Sequence, residues 1–402
     1  MLKKGLKTFF EDYLEKEPLF INKKALQMSY TPKYIPHREE QIEAVASILA
    51  PSLRGERPSN IFIYGKTGTG KSLTITYVTQ NIKEIAQKNK TPLRIIYLNC
   101  KLKRVADTEY RIIAQLTREF GEQVPATGLP TDEIYKLFIQ ALQRENKNVI
   151  IILDEIDQLV KKTGDEILYN LTRLNGELEN TQISIIGISN DLLFTDNIDP
   201  RIKSSLSEEE LVFPPYNALQ LQSILKQRSK LAFKESIVKE GVIEKCSAYA
   251  AREHGDARRA LDLLRVAGEI AERKGAVEIT TKHIDDAEEK IERDRVVDII
   301  NTQPKQVKLT LYSIFTVSIE NKGPIFTGDI YELYKEACYK TGVKPLTQRR
   351  VSDIIAELDM LGIINAKVIS KGRYGRTREI GLAIPQTSIP NINNSLKESL
   401  AL

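Results

Sequence analysis

The chain has 402 residues, of which 41% are hydrophobic and 28% charged, a composition that excludes a disordered or collagen-like polypeptide and allows two or three domains. No stretch approaches the roughly 18 apolar residues that a membrane span needs, and charged residues interrupt the apolar positions near the N-terminus. Cys100, Cys246 and Cys338 are too scattered for a disulfide framework or a zinc site. We therefore expect a cytoplasmic protein with no membrane partner, whose metal ligands are carboxylates, hydroxyls and phosphates.

The net charge of +5 is distributed unevenly. Residues 305–402 contain 14 Lys and Arg against 9 Asp and Glu, whereas the remaining residues contain 45 of each sign. Within that last quarter, residues 367–378 carry five cations and no acid, which suits a polyphosphate partner. A hairpin that is merely solvated would have the same composition, so both interpretations stay open at this point.

The first half of the chain predicts an α/β domain. A helix is expected over 38–49, and four short apolar runs follow at 60–64, 93–98, 149–153 and 183–189. These runs do not alternate with polar residues, which is typical of strands buried on both faces of a parallel sheet.

A nucleotide-binding loop is predicted between the first strand and the next helix. Residues 65–72 read GKTGTGKS, a full G-x-x-x-x-G-K-S motif. Its glycines allow backbone N–H groups to point at phosphates, while Lys71 neutralises them and Ser72 ligates Mg²⁺. The cofactors expected are ATP or ADP with Mg²⁺. The predicted ligands in this loop are Gly65, Lys66, Thr67, Gly68, Thr69, Gly70, Lys71, Ser72 and Leu73.

Polar side chains also follow the third and fourth predicted strands. Asp154 and Glu155 end the run that begins at residue 149, and Asn190 follows the run 183–189. We expect Asp154 to hold Mg²⁺ and Glu155 to act as the base that orients and deprotonates the attacking water. Asn190 could hold the same water, although an asparagine after a strand is by itself more often a turn residue.

The second half of the chain is predicted to be mostly helical. Amphipathic helices, including 218–230 and 256–274, indicate a helical lid over 217–303. Helices at 309–320, 327–340 and 347–361 and a two-stranded hairpin over 363–384 then predict a winged helix-turn-helix domain at 304–386. The polar tail 387–402, with a proline within it, is expected to be flexible.

The motifs at 65–72 and 150–155, together with Asn190, resemble the Walker A, Walker B and sensor-1 elements of the AAA+ ATPases. This resemblance implies that residues 1–216 form the AAA+ core. It also implies an arginine finger at Arg201, which would reach a neighbouring subunit's nucleotide, and a sensor-2 contact from Arg258. Further nucleotide contacts are implied at Tyr34, Ile35, Tyr216 and Arg228.

The order of core, lid and winged helix, with YIPHREEQI at 34–42, FPPY at 213–216 and GDARRALDLL at 255–264, resembles the archaeal origin-recognition initiators. The resemblance covers about residues 20–385. It implies a helical insertion near 104–130 in which Thr127 and Gly128 contact DNA. The partners that it implies are double-stranded DNA at replication origins, the replicative helicase and paralogous initiator subunits.

The DNA-binding face of the winged helix can also be predicted from its own residues, without the resemblance. The apolar stripe of helix 347–361 leaves its N-terminal turn facing outward, so this turn is expected to enter the major groove. Asp353 and Glu357 share the outer face and repel phosphate, so few base-specific contacts are expected and DNA shape should supply much of the specificity. The predicted DNA-binding residues on the helix are Thr347, Gln348, Arg349 and Arg350, and those on the wing are Lys371, Gly372, Arg373, Tyr374, Arg376 and Arg378.

These features together predict an ATP-switched, nucleoid-associated replication initiator that binds double-stranded DNA, helps load the helicase and hydrolyses ATP slowly. Two alternatives remain. A branch-migration motor of the AAA+ type with a winged helix would hydrolyse ATP rapidly with DNA and form rings, and a P-loop transcription regulator would bind near promoters without loading a helicase.

The wing assignment predicts a change in salt dependence. Replacing Arg373, Arg376 or Arg378 by alanine should each flatten the plot of log affinity for duplex DNA against log salt by about one unit, because one phosphate contact is lost. Titrations of labelled duplex over a range of salt concentrations measure this slope. Lysine at the same positions keeps the charge and serves as the control; unchanged slopes in all three alanine variants would contradict the assignment.

Overall fold

The computed structural model describes Glu11, Leu14 and residues 17–101, 108–125, 128–145, 147–206, 208–320, 324–370, 376–384 and 389–402. The chain divides into two compact units, Met1–Thr281 and Lys282–Leu402. The residue boundaries predicted for a core and a lid within the first unit stay predictions.

The first unit contains a parallel five-stranded sheet. Its strands are β1 (Ile61–Tyr64), β2 (Leu93–Asn99), β3 (Asn148–Asp154), β4 (Ile183–Ser189) and β5 (Glu209–Val212). Their order across the sheet is β2-β3-β4-β1-β5, and every neighbouring pair is parallel. The four apolar runs thus form the predicted parallel sheet. The sequence prediction missed β5, because this edge strand is only four residues long, begins with two glutamates and is largely exposed.

Helices cover both faces of this sheet. They are α1 (Glu39–Leu49), α2 (Lys71–Asn89), α3 (Glu109–Glu119), α4 (Thr131–Glu145), α5 (Ile156–Thr163), α6 (Glu166–Arg173) and α7 (Pro200–Leu206). Along β3, Val149, Ile151 and Leu153 pack into one apolar core, while Ile150 and Ile152 pack into the other. A strand with a core on each side has no solvent-facing positions, which explains why its sequence does not alternate.

Three further helices lie in the described part of the first unit: α8 (Ala218–Ala232), α9 (Val242–Arg252) and α10 (Ala257–Lys274). Two of them begin with strong N-caps. Asn217 and Gln220 form a reciprocal capping box at α8, and the Asp256 carboxylate accepts the N–H groups of Arg258 and Arg259 at α10. The cap fixes the start of α10, which matters because this end of the helix lies against the nucleotide loop, as described below.

The second unit has the predicted order of helices followed by a hairpin. It contains α11 (Thr281–Thr302), whose first residue belongs to the first unit, then α12 (Lys305–Glu320), β6 (Ile325–Phe326), α13 (Thr327–Lys340), α14 (Gln348–Met360), β7 (Ile364–Ser370) and β8 (Arg376–Leu382). β6 pairs with β8, so the expected two-stranded hairpin is part of a three-stranded antiparallel sheet. Within the described part of the chain, no helix combines the length and the hydrophobicity needed to cross a bilayer.

The predicted flexible tail at 387–402 is wrong for most of its length. Ile389–Leu400 form a helix, α15, and Ile389, Ile392, Leu396 and Leu400 are buried in the core of the second unit. Their spacing places all four on one helical face. Pro390 lies in the first turn, where proline is tolerated, so it does not prevent the helix from forming.

The burial of α15 predicts that the C-terminal residues stabilise the second unit. Leu396→Ala should lower its free energy of unfolding by about 2 to 5 kcal/mol, because it removes a fully packed side chain. Hydrogen exchange of the amides in α12 and α13 reports the stability of this unit separately from the first. Glu398→Ala, on the exposed face of α15, is the matched control; equal exchange in the two variants would show that the tail contributes nothing to the core.

Candidate active site

The loop 65–70 joins β1 to α2 and leaves the start of that helix open. Gly68 and Gly70 have φ angles of +76° and +89°, a region that favours glycine. Gly70 is the N-cap of α2 and offers no side chain to the first N–H groups of the helix. These free N–H donors, together with the helix dipole, can therefore bind an anion.

The lid helix α10 contacts this loop directly. A Cβ atom on Gly68 would lie 1.7 Å from Oδ1 of Asp256, and the N–H of Ala257 donates to the Gly68 carbonyl oxygen at 3.3 Å. Glycine is therefore required at this position by the close approach of the lid as well as by its φ angle.

Lys71 is buried and bonded to neutral oxygens. Its Nζ donates to the carbonyl oxygens of Gly65 (2.7 Å) and Lys66 (2.9 Å) and to Oδ1 of Asn190 (2.9 Å). Burial lowers the pKa of Lys71 to about 8; the Asp154 carboxylate opposes this shift and the nearby Arg258 adds to it. The structure thus places Asn190 on Lys71, rather than showing it beside Glu155 as the sequence suggested.

Asp154 and Glu155 lie at the carboxyl end of β3. The N–H of Glu155 donates to Oδ1 of Asp154 at 2.9 Å, and Oε2 of Glu155 is 3.6 Å from Nζ of Lys101. Glu155 has a left-handed φ of +55°. A non-glycine residue in that region costs on the order of 1–3 kcal/mol and is typical of functional sites. The strain fixes the direction in which the Glu155 side chain leaves the strand.

Sequence analysis missed Tyr97 on β2. Its hydroxyl donates a hydrogen bond to Oδ2 of Asp154, and the Ser72 hydroxyl is close enough to affect the pKa of Tyr97. Desolvation, and then the Asp154 charge, raise the pKa of Tyr97. The hydroxyl therefore lies beside both predicted Mg²⁺ ligands. A sequence signal existed: Tyr97 is the one hydroxyl-bearing residue of β2, which pairs with β3.

A cavity of about 240 Å³ opens between the nucleotide loop and the lid. Several predicted nucleotide ligands line it, namely Ile35, Gly68, Gly70, Ser72, Leu73, Tyr216, Arg228 and Arg258. Gly65, Lys66, Thr67 and Thr69 belong to the loop but not to the cavity wall. Tyr34 is also outside it: the ring is half-exposed and its hydroxyl donates to Glu39.

One wall of this cavity is formed by residues that were not predicted from the sequence, namely Gln27, Met28, Tyr30, Thr31 and Pro32. The guanidinium of Arg228 lies 4.3 Å from the centroid of the Tyr30 ring and donates to the Gln27 carbonyl oxygen at 3.3 Å. Burial lowers the pKa of Arg228. The cavity is thus lined by aromatic and apolar groups together with cations and N–H donors, a combination that suits a nucleotide.

Arg201 is not brought to this cavity. Its Nη2 and Nε donate to the Asp199 carboxylate at 2.8 and 3.1 Å, and its side chain is 71% exposed. The hydrogen bonds from Arg201 lower the pKa of Asp199 to about 2. A role as a finger toward a neighbouring subunit therefore stays a prediction.

The predicted DNA-binding residues are described only in part. Thr347 caps α14 by accepting the Arg350 N–H, and Thr347, Gln348, Arg349 and Arg350 are exposed. Arg350 lies 3.6 Å from Asp353 and 3.9 Å from Glu357, so its charge is partly compensated within the helix. Gly128 is exposed, and Arg378 is half-buried on β8. The predictions for Thr127, Lys371, Gly372, Arg373, Tyr374 and the side chain of Arg376 lie outside the described residues.

Comparison with known proteins separates the chain into three matched regions. The AAA domain model matches residues 54–193, the Cdc6 AAA+ ATPase-type lid domain matches 222–289, and the CDC6 C-terminal winged helix domain matches 298–391. These matches confirm the predicted α/β core, helical lid and winged helix.

Relatives match across nearly the whole chain. The ORC1-type DNA replication proteins of Thermococcus onnurineus and Pyrococcus furiosus are each 55% identical over 391 residues, which cover 96% of this chain and 94% and 92% of theirs. Among solved structures, the Aeropyrum pernix ORC1 protein in complex with DNA is 44% identical with a TM-score of 0.81, covering 94% of this chain and 97% of that one.

The lowered pKa of Lys71 predicts proton uptake on nucleotide binding. Near pH 9 most free protein should have neutral Lys71, and a bound polyphosphate should recharge it, so ATP binding should take up close to one proton, against about 0.1 at pH 7. ATP affinity should fall as pH rises through about 8.

In the nucleotide-free protein, Lys71 should make folding more favourable as pH rises from about 8 to 10.5, because the buried charge is lost.

Titration calorimetry in buffers of different ionisation enthalpy measures the uptake. Lys71→Arg, which stays charged throughout this range, is the control. Proton uptake that is the same at pH 7 and pH 9 would contradict a lowered pKa at Lys71.

Proposed function

The chain belongs to the family of ORC1-type DNA replication proteins, and from that premise we propose that it is a replication initiator that binds double-stranded DNA at origins and uses ATP as a switch. The family match includes core, lid and winged helix, which supports an intact arrangement of ATPase and DNA-binding parts. The Aeropyrum pernix relative has been solved in complex with DNA, and by similarity we extend duplex binding to this chain.

The observation that carries the switch is the shared cavity. Its wall includes Gly70 and Ser72 from the nucleotide loop and Arg258 from α10 of the lid. A triphosphate bound there is attracted by cations from both sides, whereas a diphosphate offers less charge to Arg258. The equilibrium angle between core and lid then depends on the γ-phosphate.

The proposed chemistry follows from the side chains around the loop. Phosphate oxygens replace the three neutral acceptors of Lys71. The hydroxyl of Ser72 and the carboxylate of Asp154 are hard oxygen donors of the kind that Mg²⁺ prefers, so the donor set fits this ion. Held by these two side chains, Mg²⁺ would neutralise part of the negative charge of the phosphates. Glu155, held in a fixed direction by its backbone, orients the attacking water and accepts its proton. Asn190 bonds Lys71 in the nucleotide-free site and holds the water once a nucleotide is bound.

Slow turnover is part of the proposal. Glu155 is already paired with Lys101, and Arg201 is bonded to its own Asp199, so two groups expected to stabilise the reaction are engaged elsewhere. Hydrolysis then acts as a timer, and this chain is a weak ATPase. The remaining partners proposed are the replicative helicase and paralogous initiator subunits at the nucleoid.

On the DNA side, the proposal assigns the exposed turn 347–350 to the major groove. Because Asp353 and Glu357 partly neutralise Arg350, this turn supplies few strong base contacts. Phosphate contacts from the wing and the deformability of the duplex then account for most of the selectivity.

The proposal is tested by two variants of the site on genomic DNA. Glu155→Gln should retain ATP and stall turnover, and Lys71→Ala should lose nucleotide binding or hydrolysis, because the first removes only the base and the second removes the phosphate ligand. Footprints of the wild type with ATP and with ADP, and pull-down of the helicase on the same DNA, read out the switch. Glu155→Gln should remain fixed in the ATP footprint.

Arg201→Ala, with its nucleotide loop intact, is the matched control for nucleotide binding. Normal turnover in Glu155→Gln would contradict the site assignment. Identical footprints and helicase recruitment with ATP and ADP would contradict the switch, and rapid DNA-stimulated turnover by rings would favour a branch-migration motor.

A further inference from the structure

Arg38 is a buried cation whose donors all go to main-chain carbonyl oxygens. Only 2% of the residue is exposed. Nε donates to Thr69 at 2.9 Å, Nη1 to His37 at 2.7 Å and Nη2 to Pro214. Among the ion pairs formed by the described residues, none includes Arg38. Burial lowers the pKa of Arg38, against weaker opposing contributions from Tyr216 and Glu39, and its three nitrogens bond main-chain carbonyls rather than a carboxylate.

These three carbonyls belong to three separate segments around the nucleotide loop. Thr69 is in the loop itself, His37 precedes α1, and Pro214 is in the link 213–217 that leads from β5 to α8 of the lid. The guanidinium also stacks on Tyr216, with 3.8 Å between its central carbon and the ring centroid. The Tyr216 hydroxyl in turn lies against Gly70, where a Cβ atom would be 2.8 Å from it.

The hydrogen bond to Thr69 has a consequence for the next residue. In a trans peptide, the C=O of one residue and the N–H of the next point in opposite directions, and the chain has no cis peptide bonds among its described residues. Holding the Thr69 carbonyl toward Arg38 therefore turns the Gly70 N–H away from Arg38. Gly70 lines the nucleotide cavity, and a loop with glycine at both 68 and 70 would otherwise lose much conformational freedom on binding a phosphate.

A neutral side chain could fill this space without the cost of burying a charge. What arginine adds is a planar fork of donors that can bond several carbonyls at fixed angles, which a lysine ammonium cannot reproduce. The link to Pro214 and the stack on Tyr216 place the same fork on the connection between core and lid.

We propose that Arg38 is a positioning residue that fixes the Thr69–Gly70 peptide for phosphate binding and ties this loop to the 213–217 link. The role rests on the proposed function only in taking the ligand of the loop to be a nucleoside triphosphate. Arg38 contacts no phosphate itself; it acts through the conformation of the loop. Loss of the Arg38 side chain should therefore lower the affinity for the ligand and make the loop less ordered.

The test compares Arg38→Lys and Arg38→Ala with the wild type in the full-length protein. Arg38→Lys keeps the charge, but its single Nζ cannot reach three carbonyls that bond three different nitrogens of the guanidinium, and we expect its ATP affinity to fall at least about tenfold. Without nucleotide, the peptides that contain residues 65–70 should exchange their amide hydrogens faster than in the wild type. Methylguanidinium should restore part of the ATP affinity of Arg38→Ala, whereas methylammonium at the same concentration should not.

Phe138→Leu, in the apolar core on one face of the sheet, is the control for a general loss of stability. It should lower the melting temperature while leaving ATP affinity and loop exchange unchanged. Wild-type ATP affinity together with wild-type loop exchange in Arg38→Lys would overturn the proposal, as would a loss in Phe138→Leu equal to that in Arg38→Lys. If the wild type bound no ATP, the proposed function would fail, and the loop exchange of the variants would still decide the role of Arg38.

Discussion

The parallel register of β1, β3 and β4 is the constraint on which the site depends. It sets Tyr64 beside Ser189 and Asp154 beside Ile188, so the residues that leave these strands emerge at one edge of the sheet. Lys71 of the nucleotide loop and Asn190 are 119 residues apart along the chain, yet Lys71 bonds Asn190 directly. Because both faces of the sheet are packed, a shift of one strand would move its apolar residues into the wrong core. Core packing and site geometry are therefore maintained by the same contacts.

The first unit also buries several cations. Lys71, Arg38 and Arg228 are all buried in the first unit, and burial lowers the pKa of each. Their bonds go mainly to carbonyl oxygens and aromatic rings rather than to carboxylates. Buried cations without carboxylate partners attract negative charge strongly, and a polyanionic ligand can supply that charge with little reorganisation of the surrounding groups. The site is thus arranged for phosphate before any phosphate arrives.

Much of this could be predicted from sequence, and the misses have physical causes. The motif 65–72 and the runs of β-branched residues are local signals, so β1 to β4 and the loop were predictable. Tyr97 and Arg38 were not assigned, because their roles depend on which strands and loops become neighbours. The edge strand β5 lacks an apolar run, and α15 was mistaken for a flexible tail because its polar residues and proline outweighed a sparse apolar stripe. The local sequence pattern predicts where helices and strands lie, whereas the role of a side chain depends on which elements pack beside it.

The contact between Gly68 and Asp256 has a consequence for how the sequence can change. The two positions are far apart along the chain, but a side chain at one occupies the volume of the other. A methyl group at 68 would also lie 2.9 Å from the Cα of residue 256 and would be strained by the φ of +76°, so a shorter side chain at 256 would not make room for it. Position 68 is therefore expected to accept glycine alone, whereas position 256 is restricted mainly by its role as the N-cap of α10.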